Sequence, residues 1–319
     1  MSSFLGGLLV VDLAARTAKI VPLDPSVCRR FLGGVGPATR LLWDYSEPGC
    51  DPLGPENAMV FAAGFLTGTM APSASKYAIA TSSPLTGFIG DSISSGGWPL
   101  ALKRAGYDAM VVLGAAEIPT YLFIDDDRVY FRPARRLWGA KSWETEEGIR
   151  RELGDDSVSV AIIGPAMECF ERGLVAREEV EGLELRFGNG EAVEAAELFR
   201  AATGLDMTAE ELQKAGERVC NPKKAYNIRE GWTRADDTLP PRILEEPLPT
   251  GIARGTALTR EELSTMIDGY YEARGWTPEG LIPPEKLEEL DLSDLRGRVG
   301  DDATVGSVRP GDLHGVPPV

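Results

Sequence analysis

The chain has 319 residues, 43% of them hydrophobic, which is enough to bury a sizeable core and long enough for two domains rather than one. Its formal charge of −16 argues against nucleic acid or an anionic membrane as the main partner, since both would be repelled by the whole surface. No run approaches the roughly 20 apolar residues of a membrane span, and the N-terminus lacks a basic stretch followed by a cleavage site, so a cytoplasmic location is expected.

In chain order, Leu8 to Asp12 and Lys19 to Val21 read as a β-hairpin, and PSVCRRFLGG as a helix with Asp24 as N-cap, Pro25 at its first position and Gly33 as its stop. NAMVFAAG is a buried strand. SPLTG is a turn, in which Pro84 sets φ and Gly87 releases the chain. After Ser94, Ser95, Gly96 and Gly97 a helix begins in LALKRAG; the paired glycines serve a tight turn, an anion cradle, or both. LTGTMAPSASK, rich in hydroxyls, is either a loop shaped to a polar ligand or an ordinary connection.

The order hairpin, helix, buried strand recurs in TYLFIDDDRVYFRPA, SWETEEGIRREL (capped by Ser142) and SVSVAIIGP, which predicts two similar sheets about a pseudo-twofold axis. Beyond Pro165 the texture becomes helical and acidic in AMECFERGLVAREEVEGL and GEAVEAAELFRAATG. RADDTLPPRILEEPLPTG is proline-rich and predicts an extended loop. LTREELSTMIDGYYEARG is a helix with Thr259 and Glu262 as a capping box and Gly275 as its end, and a short helix starts at Pro284. From Arg296 onward no apolar period remains, and a mobile tail is expected.

Chemistry-bearing residues are sparse. The only histidine, His314, lies in the Gly/Pro-rich tail, which removes a Ser/His/Asp triad and a histidine-rich metal site. Cys28, Cys50, Cys169 and Cys220 are scattered without a CxxC pair, so neither a disulfide framework nor a closed metal site can be read from them. The acid pairs at Asp125 to Asp127, Asp155 and Asp156, and Asp236 and Asp237 read as turns and exposed faces, because no partner ligands stand at coordinating spacing.

Several ordered blocks carry a resemblance. FLGGVGPATRLL, the stretch from DPLGPENAMVFAAG through SISSGGWPLALKRAGYDAMVVLG, LWGAKSWETEEGIRRELG and AIIGPA together resemble the N-terminal domain of the aldehyde ferredoxin oxidoreductase family, the tungsten-pterin enzymes. GERVCNPKKAYNIREGWTRADDTLPPRILEEPL and YYEARGWTPEGLIPPEKLEEL are similar to that family's C-terminal region. Members are longer, so the resemblance implies internal deletions near Pro165 to Met167 and near Val193 to Phe199.

The fold so implied is α+β: an N-terminal double-sheet domain with a pseudo-twofold repeat over residues 1–166, a truncated helical region over 167–295, and a tail over 296–319. The resemblance implies a tungsten or molybdenum bis-pterin with a bridging magnesium, and oxidation of an aldehyde to a carboxylic acid with electrons passed to ferredoxin. It places Lys76 against a pterin phosphate, and Ser94, Ser95, Gly96 and Gly97 where backbone N–H groups approach phosphate and magnesium. Where the family often has asparagine this chain has Ser94. The family's 4Fe–4S cluster needs a CxxCxxxC run and a fourth cysteine, and that run is absent here. The catalytic residues are therefore unassigned. A non-catalytic protein that docks a pterin, a subunit or homo-oligomer completed by a partner, and a deleted reading frame of a longer enzyme stand as alternatives.

Overall fold

The computed structural model describes residues 6–23, 29–71, 73–162, 196–197, 199–201, 204–251 and 254–298. Asp24, Pro25, Cys28, Cys169, His314, the segment 167–195 and the tail beyond 298 lie outside the described residues.

The alternating and continuous apolar runs of the first half form strands β1 (Gly7–Asp12), β2 (Thr17–Pro22), β3 (Met59–Ala63), β4 (Lys76–Ser82), β5 (Ile89–Ser95) and β6 (Tyr107–Leu113). They make one six-stranded sheet in the order β2-β1-β6-β3-β4-β5. The β1–β6 pair is parallel and the other pairs are antiparallel. Side-chain alternation divides the residues between two covered faces. On one face Leu8, Val60, Ala62, Ala78, Ala80, Ala109 and Val111 pack beneath helices. On the other, Leu9, Val11, Phe61 and Met110 pack beneath Leu102 and the hairpin β7 (Thr120–Asp125) and β8 (Arg128–Pro133).

Helix α1 (Val35–Tyr45) is buried through Ala38, Leu41, Leu42 and Trp43. α2 (Trp98–Arg104) follows the paired glycines, as expected, and α3 (Ser142–Leu153) follows β8. Ser142 is the first helical residue of α3 rather than its cap; the Glu144 carboxylate accepts the Lys141 N–H at 3.1 Å and does the capping from inside the helix. The second hairpin and its helix form, but Val158 to Ile162 carry no strand. Within the described residues β7 and β8 pair only with each other. The Val158 carbonyl instead accepts the Arg150 guanidinium at 3.0 Å.

The later half is dominated by α4 (Ala209–Arg229), a 21-residue helix. The sequence signals its start, because Thr208 accepts the Glu211 N–H and Glu211 accepts the Thr208 N–H, a complete capping box. Pro222 sits inside it, where propensity alone predicts a break. Tertiary contacts override that preference: the Arg218 guanidinium reaches the Leu290 carbonyl and Asp291, Lys223 pairs with Asp91, and the Asn227 side chain accepts the Ile89 N–H.

The proline-rich stretch is not wholly extended. It holds a 3₁₀ turn at Arg234–Asp236 and α5 (Pro241–Glu245), whose Pro241 occupies the first turn, where its missing N–H costs nothing. α6 (Arg260–Arg274) has the expected Thr259–Glu262 box and Gly275 stop, and α7 (Pro284–Glu289) starts where proposed. A 3₁₀ helix, Ser293–Arg298, follows. Leu287, Leu290, Leu292 and Leu295 join the same core as Leu8 and Val60, so these helices close directly over the sheet.

Asp237 is more than an exposed turn acid. Its carboxylate accepts from Lys224 at 3.3 Å, the Trp232 indole at 3.1 Å and the Tyr271 hydroxyl at 2.5 Å. Lys224, 7% exposed, is boxed by the rings of Trp232, Tyr271 and Trp276, at 2.8, 5.3 and 5.0 Å from its amine. Burial pushes its pKa down to about 8 while Asp237 pulls the other way.

Candidate functional site

The antiparallel register of β4 and β5 sets Lys76 opposite Ser95 and Tyr77 opposite Ser94. Directly opposed residues share a face, so the four positions divide into two pairs. Lys76 and Ser95 lie on the helix-covered face with Ala78 and Ala80, and the lysine amine stands 3.4 Å from the Ser95 hydroxyl. Ser94 lies on the opposite face with Tyr77, which packs against Trp98 at 4.8 Å between ring centroids. The structure thus brings Lys76 and Ser95 together and turns Ser94 away from them.

The glycines divide in the same way. Gly96 has φ +130°, a conformation that disfavours any side chain, and a Cβ there would meet nothing within 4 Å. Its carbonyl accepts the Ser75 hydroxyl at 2.6 Å, and its N–H reaches the Ser75 carbonyl at 3.3 Å. Gly97 has φ −76° and needs no special freedom; its requirement is close approach, because a Cβ there would come within 2.9 Å of Ser159 Oγ. Gly97 then caps α2 without any side-chain hydrogen bond. A lysine, a serine hydroxyl and an uncrowded glycine corner form a surface that can match the charge of a phosphate-sized anion.

Two supports escaped the sequence reading. Lys103, at the end of α2, pairs with Asp108 at 2.9 Å, both side chains being 13% exposed, and lies 3.4 Å from the Phe65 carbonyl. It ties the helix after the glycines both to β6 and to the loop that leads to Lys76. Within that loop Thr67 is buried, and its hydroxyl donates toward the Ala74 and Lys76 carbonyls at 2.8 and 3.0 Å. Nothing local in LTGTMAPSASK distinguishes Thr67 from its exposed neighbours, and Lys103 reads from sequence as one more solvated helix residue. SPLTG closes the β4–β5 hairpin as a turn, with Gly87 at φ +73° and its N–H on the Ser83 carbonyl.

Among the described residues no group of three or more His, Cys, Asp or Glu could hold a metal ion. Cys50 and Cys220 are free thiols, and burial raises the pKa of Cys50. Asp236 caps the turn at Thr233, and Asp155 accepts the Ser157 N–H and hydroxyl, so these acids have local structural work. No described helix is long and apolar enough to cross a membrane.

Comparison with known proteins places this geometry in a family. The model for the aldehyde ferredoxin oxidoreductase N-terminal domain matches residues 8–175, more than half of the chain, and the model for domains 2 and 3 of the same enzymes matches residues 193–292. The chain belongs to the aldehyde ferredoxin oxidoreductase family.

The tungsten-containing aldehyde ferredoxin oxidoreductase of Pyrococcus furiosus is 45% identical over 163 residues, 51% of this chain and 27% of that protein. The corresponding Thermococcus kodakarensis protein is 42% identical over 163 residues, with the same coverage. An aliphatic sulfonate oxidoreductase, described as a WOR-like subunit, of Pyrococcus furiosus is 36% identical over 161 residues, 49% of this chain and 25% of that protein. These matches span only about a quarter of each curated relative.

Among solved structures, the active site complex BamBC of benzoyl coenzyme A reductase superposes with a TM-score of 0.72 at 15% identity, covering 93% of this chain and 99% of that chain. That likeness concerns the fold alone. Lys76, Ser95, Gly96 and Gly97 all fall inside the stretch matched by the family's N-terminal domain.

Proposed function

We propose that this member of the aldehyde ferredoxin oxidoreductase family provides the floor beneath a tungsten pterin. The observation that carries the reading is the Lys76–Ser95 pair on the helix-covered face of the sheet, beside the open corner at Gly96. In this reading the Lys76 ammonium neutralises a pterin phosphate and the Ser95 hydroxyl donates to one of its oxygens. Gly96 leaves room for the approach, and the Lys103–Asp108 pair holds α2 against the loop. When bound, the tungsten pterin supplies the two-electron oxidation that the family performs on an aldehyde. The Ser94 side chain lies on the other face with Tyr77, so any contact it makes to the pterin runs through its backbone.

The residues do not fit a resident 4Fe–4S cluster: the four cysteines lack the required spacing, and the two in the described residues are isolated thiols. For these reasons we infer a second feature of the function, that electrons leave through a separate cluster-bearing chain on their way to a ferredoxin-type acceptor. The description of one relative as a subunit favours the same reading.

Expression in a host that makes tungsten pterin, followed by metal and pterin analysis of the purified chain, tests the first proposal. Wild type should carry pterin and tungsten, and Lys76→Met should lose most of both with its melting temperature unchanged. A wild-type preparation free of pterin, or a Lys76→Met variant as fully loaded as wild type, would sink it. Aldehyde-dependent dye reduction by the isolated, loaded chain, with no second subunit present, would remove the need for the separate electron carrier.

A further inference from the structure

The turn between β8 and α3 and the start of α3 stand out on an acidic protein. From Arg128 to Trp143 the chain carries five basic residues and no acidic one, against a net charge of −16 overall. Arg135, Arg136 and Lys141 are exposed, and none makes an ion pair among the described residues. The acids that follow on α3 are already engaged: Glu146 pairs with Arg150 at 2.7 Å, Glu147 pairs with Arg151 at 3.0 Å, and Glu144 caps the helix through the Lys141 N–H. Two large aromatic side chains share this ledge. Trp138 is 71% exposed and Trp143 62%, with the Lys141 amine 5.0 Å from the Trp143 ring.

The ledge is firmly built. Leu137 and Trp138 both donate their N–H groups to the Ala134 carbonyl, Ala134 is buried and bonds to the Pro119 carbonyl, and the Leu137 side chain lies where a Cβ on Gly148 of α3 would meet it at 2.9 Å. The β7–β8 hairpin beneath it packs on the sheet face opposite to the one that carries Lys76 and Ser95. An occupant of the ledge therefore leaves the anion-matching face open.

We propose that Arg135, Arg136, Trp138, Lys141 and Trp143 form a docking surface for an acidic protein partner. Exposed tryptophan and arginine together are the side chains that most often dominate protein interfaces. Unpaired cations beside them supply electrostatic complementarity to an acidic face. A long polyphosphate would meet the repulsion of the remaining acidic surface, and so would a second copy of this chain. A compact acidic partner whose contact is confined to the ledge meets its unpaired cations and the least of that repulsion.

Binding of a fluorescently labelled short acidic peptide, an eight-residue poly-glutamate, to the purified full chain at low salt tests this, with an RNA duplex as the competing polyanion and sedimentation velocity as the readout of self-association. Arg135→Glu with Arg136→Glu should weaken poly-glutamate binding at least about tenfold, the scale expected when two interfacial cations are reversed. Trp138→Ala with Trp143→Ala should weaken it several-fold while leaving its salt dependence in place. Lys19→Glu with Arg254→Glu, an equal charge change at two other exposed positions, should have little effect. The proposal is overturned if the two double reversals behave alike, if RNA binds the ledge more tightly than poly-glutamate, or if the ledge residues govern only association between copies of the chain. Circular dichroism of each variant excludes loss of fold as the cause.

Discussion

In the six-stranded sheet Leu9, Val11, Val60 and Val111 are at most 1% exposed and bury only hydrocarbon, whereas the covering helices also bury a charge-bearing side chain, Lys224, at 7%. The sheet is held by burial that depends on pattern and volume. The helices share part of that burial through Leu287, Leu290, Leu292 and Leu295, but their mutual arrangement also depends on the carboxylate of Asp237 and the three rings around Lys224. A hydrophobic contact tolerates many partners of similar size. A caged ammonium tolerates very few, because burial penalises the charge unless every neighbour is in place.

The sharpest test of this comparison removes equal volumes from the early and the late helical cover of the same sheet. Leu42→Ala, on α1, and Leu292→Ala, after α7, each delete a side chain that is 0% exposed in the same core. Each should cost about 2 to 5 kcal/mol and lower one common thermal transition. If Leu292→Ala splits unfolding into two steps while Leu42→Ala does not, the halves are separate cooperative units.

The next effect is electrostatic and has a definite sign. In the unfolded chain Lys224 keeps its proton up to the ordinary pKa of 10.5, whereas in the fold it releases it near 8. Between those values the unfolded state binds more protons, so this lysine makes stability rise with pH across that window. The rise amounts to roughly 3 kcal/mol at most. Lys224→Met should abolish it in denaturant titrations run from pH 7 to pH 10.5. An unchanged pH dependence would mean that the ring cage restores to the ammonium what burial takes away.

The smallest effect sharpens the glycine corner. Gly97→Ala places a Cβ against Ser159 Oγ, a hydroxyl that can rotate aside, and should cost about 1 kcal/mol or less. Ser159→Ala in the same chain should return part of that loss, a coupling that a double-mutant cycle measures directly. Additive costs would show that Gly97 is required for some reason other than its contact with Ser159.

Much of this architecture was legible before any coordinates. The first hairpin, the strand Met59–Ala63, and α6 with its Thr259–Glu262 box and Gly275 stop declare themselves through periods and caps that act within a few residues. α4 went unread in the sequence: Pro222 argues locally against a helix that Asp91, Ile89 and Leu290 support from far along the chain. The strand expected at SVSVAIIGP failed to form over Val158 to Ile162 because an apolar run specifies a strand only where another strand pairs with it.

The candidate site shows the same division. Lys76, Ser95, Gly96 and Gly97 could be singled out from sequence, yet only the β4–β5 register decided that Lys76 meets Ser95 while Ser94 faces away. The clamp between Lys103 and Asp108 spans only the turn from α2 to β6, yet five residues across a helix–strand junction is no helical or strand spacing, and the cage around Lys224 draws Tyr271 and Trp276 from a distant segment, so neither leaves a periodic signature. The sequence by itself determined the first hairpin, the strand Met59–Ala63, α6 with its caps and the family the chain resembles, since caps and periods are short-range physics. The tertiary structure alone decided which charges meet, because a one-residue slip in register would send every side chain of a strand to the other face.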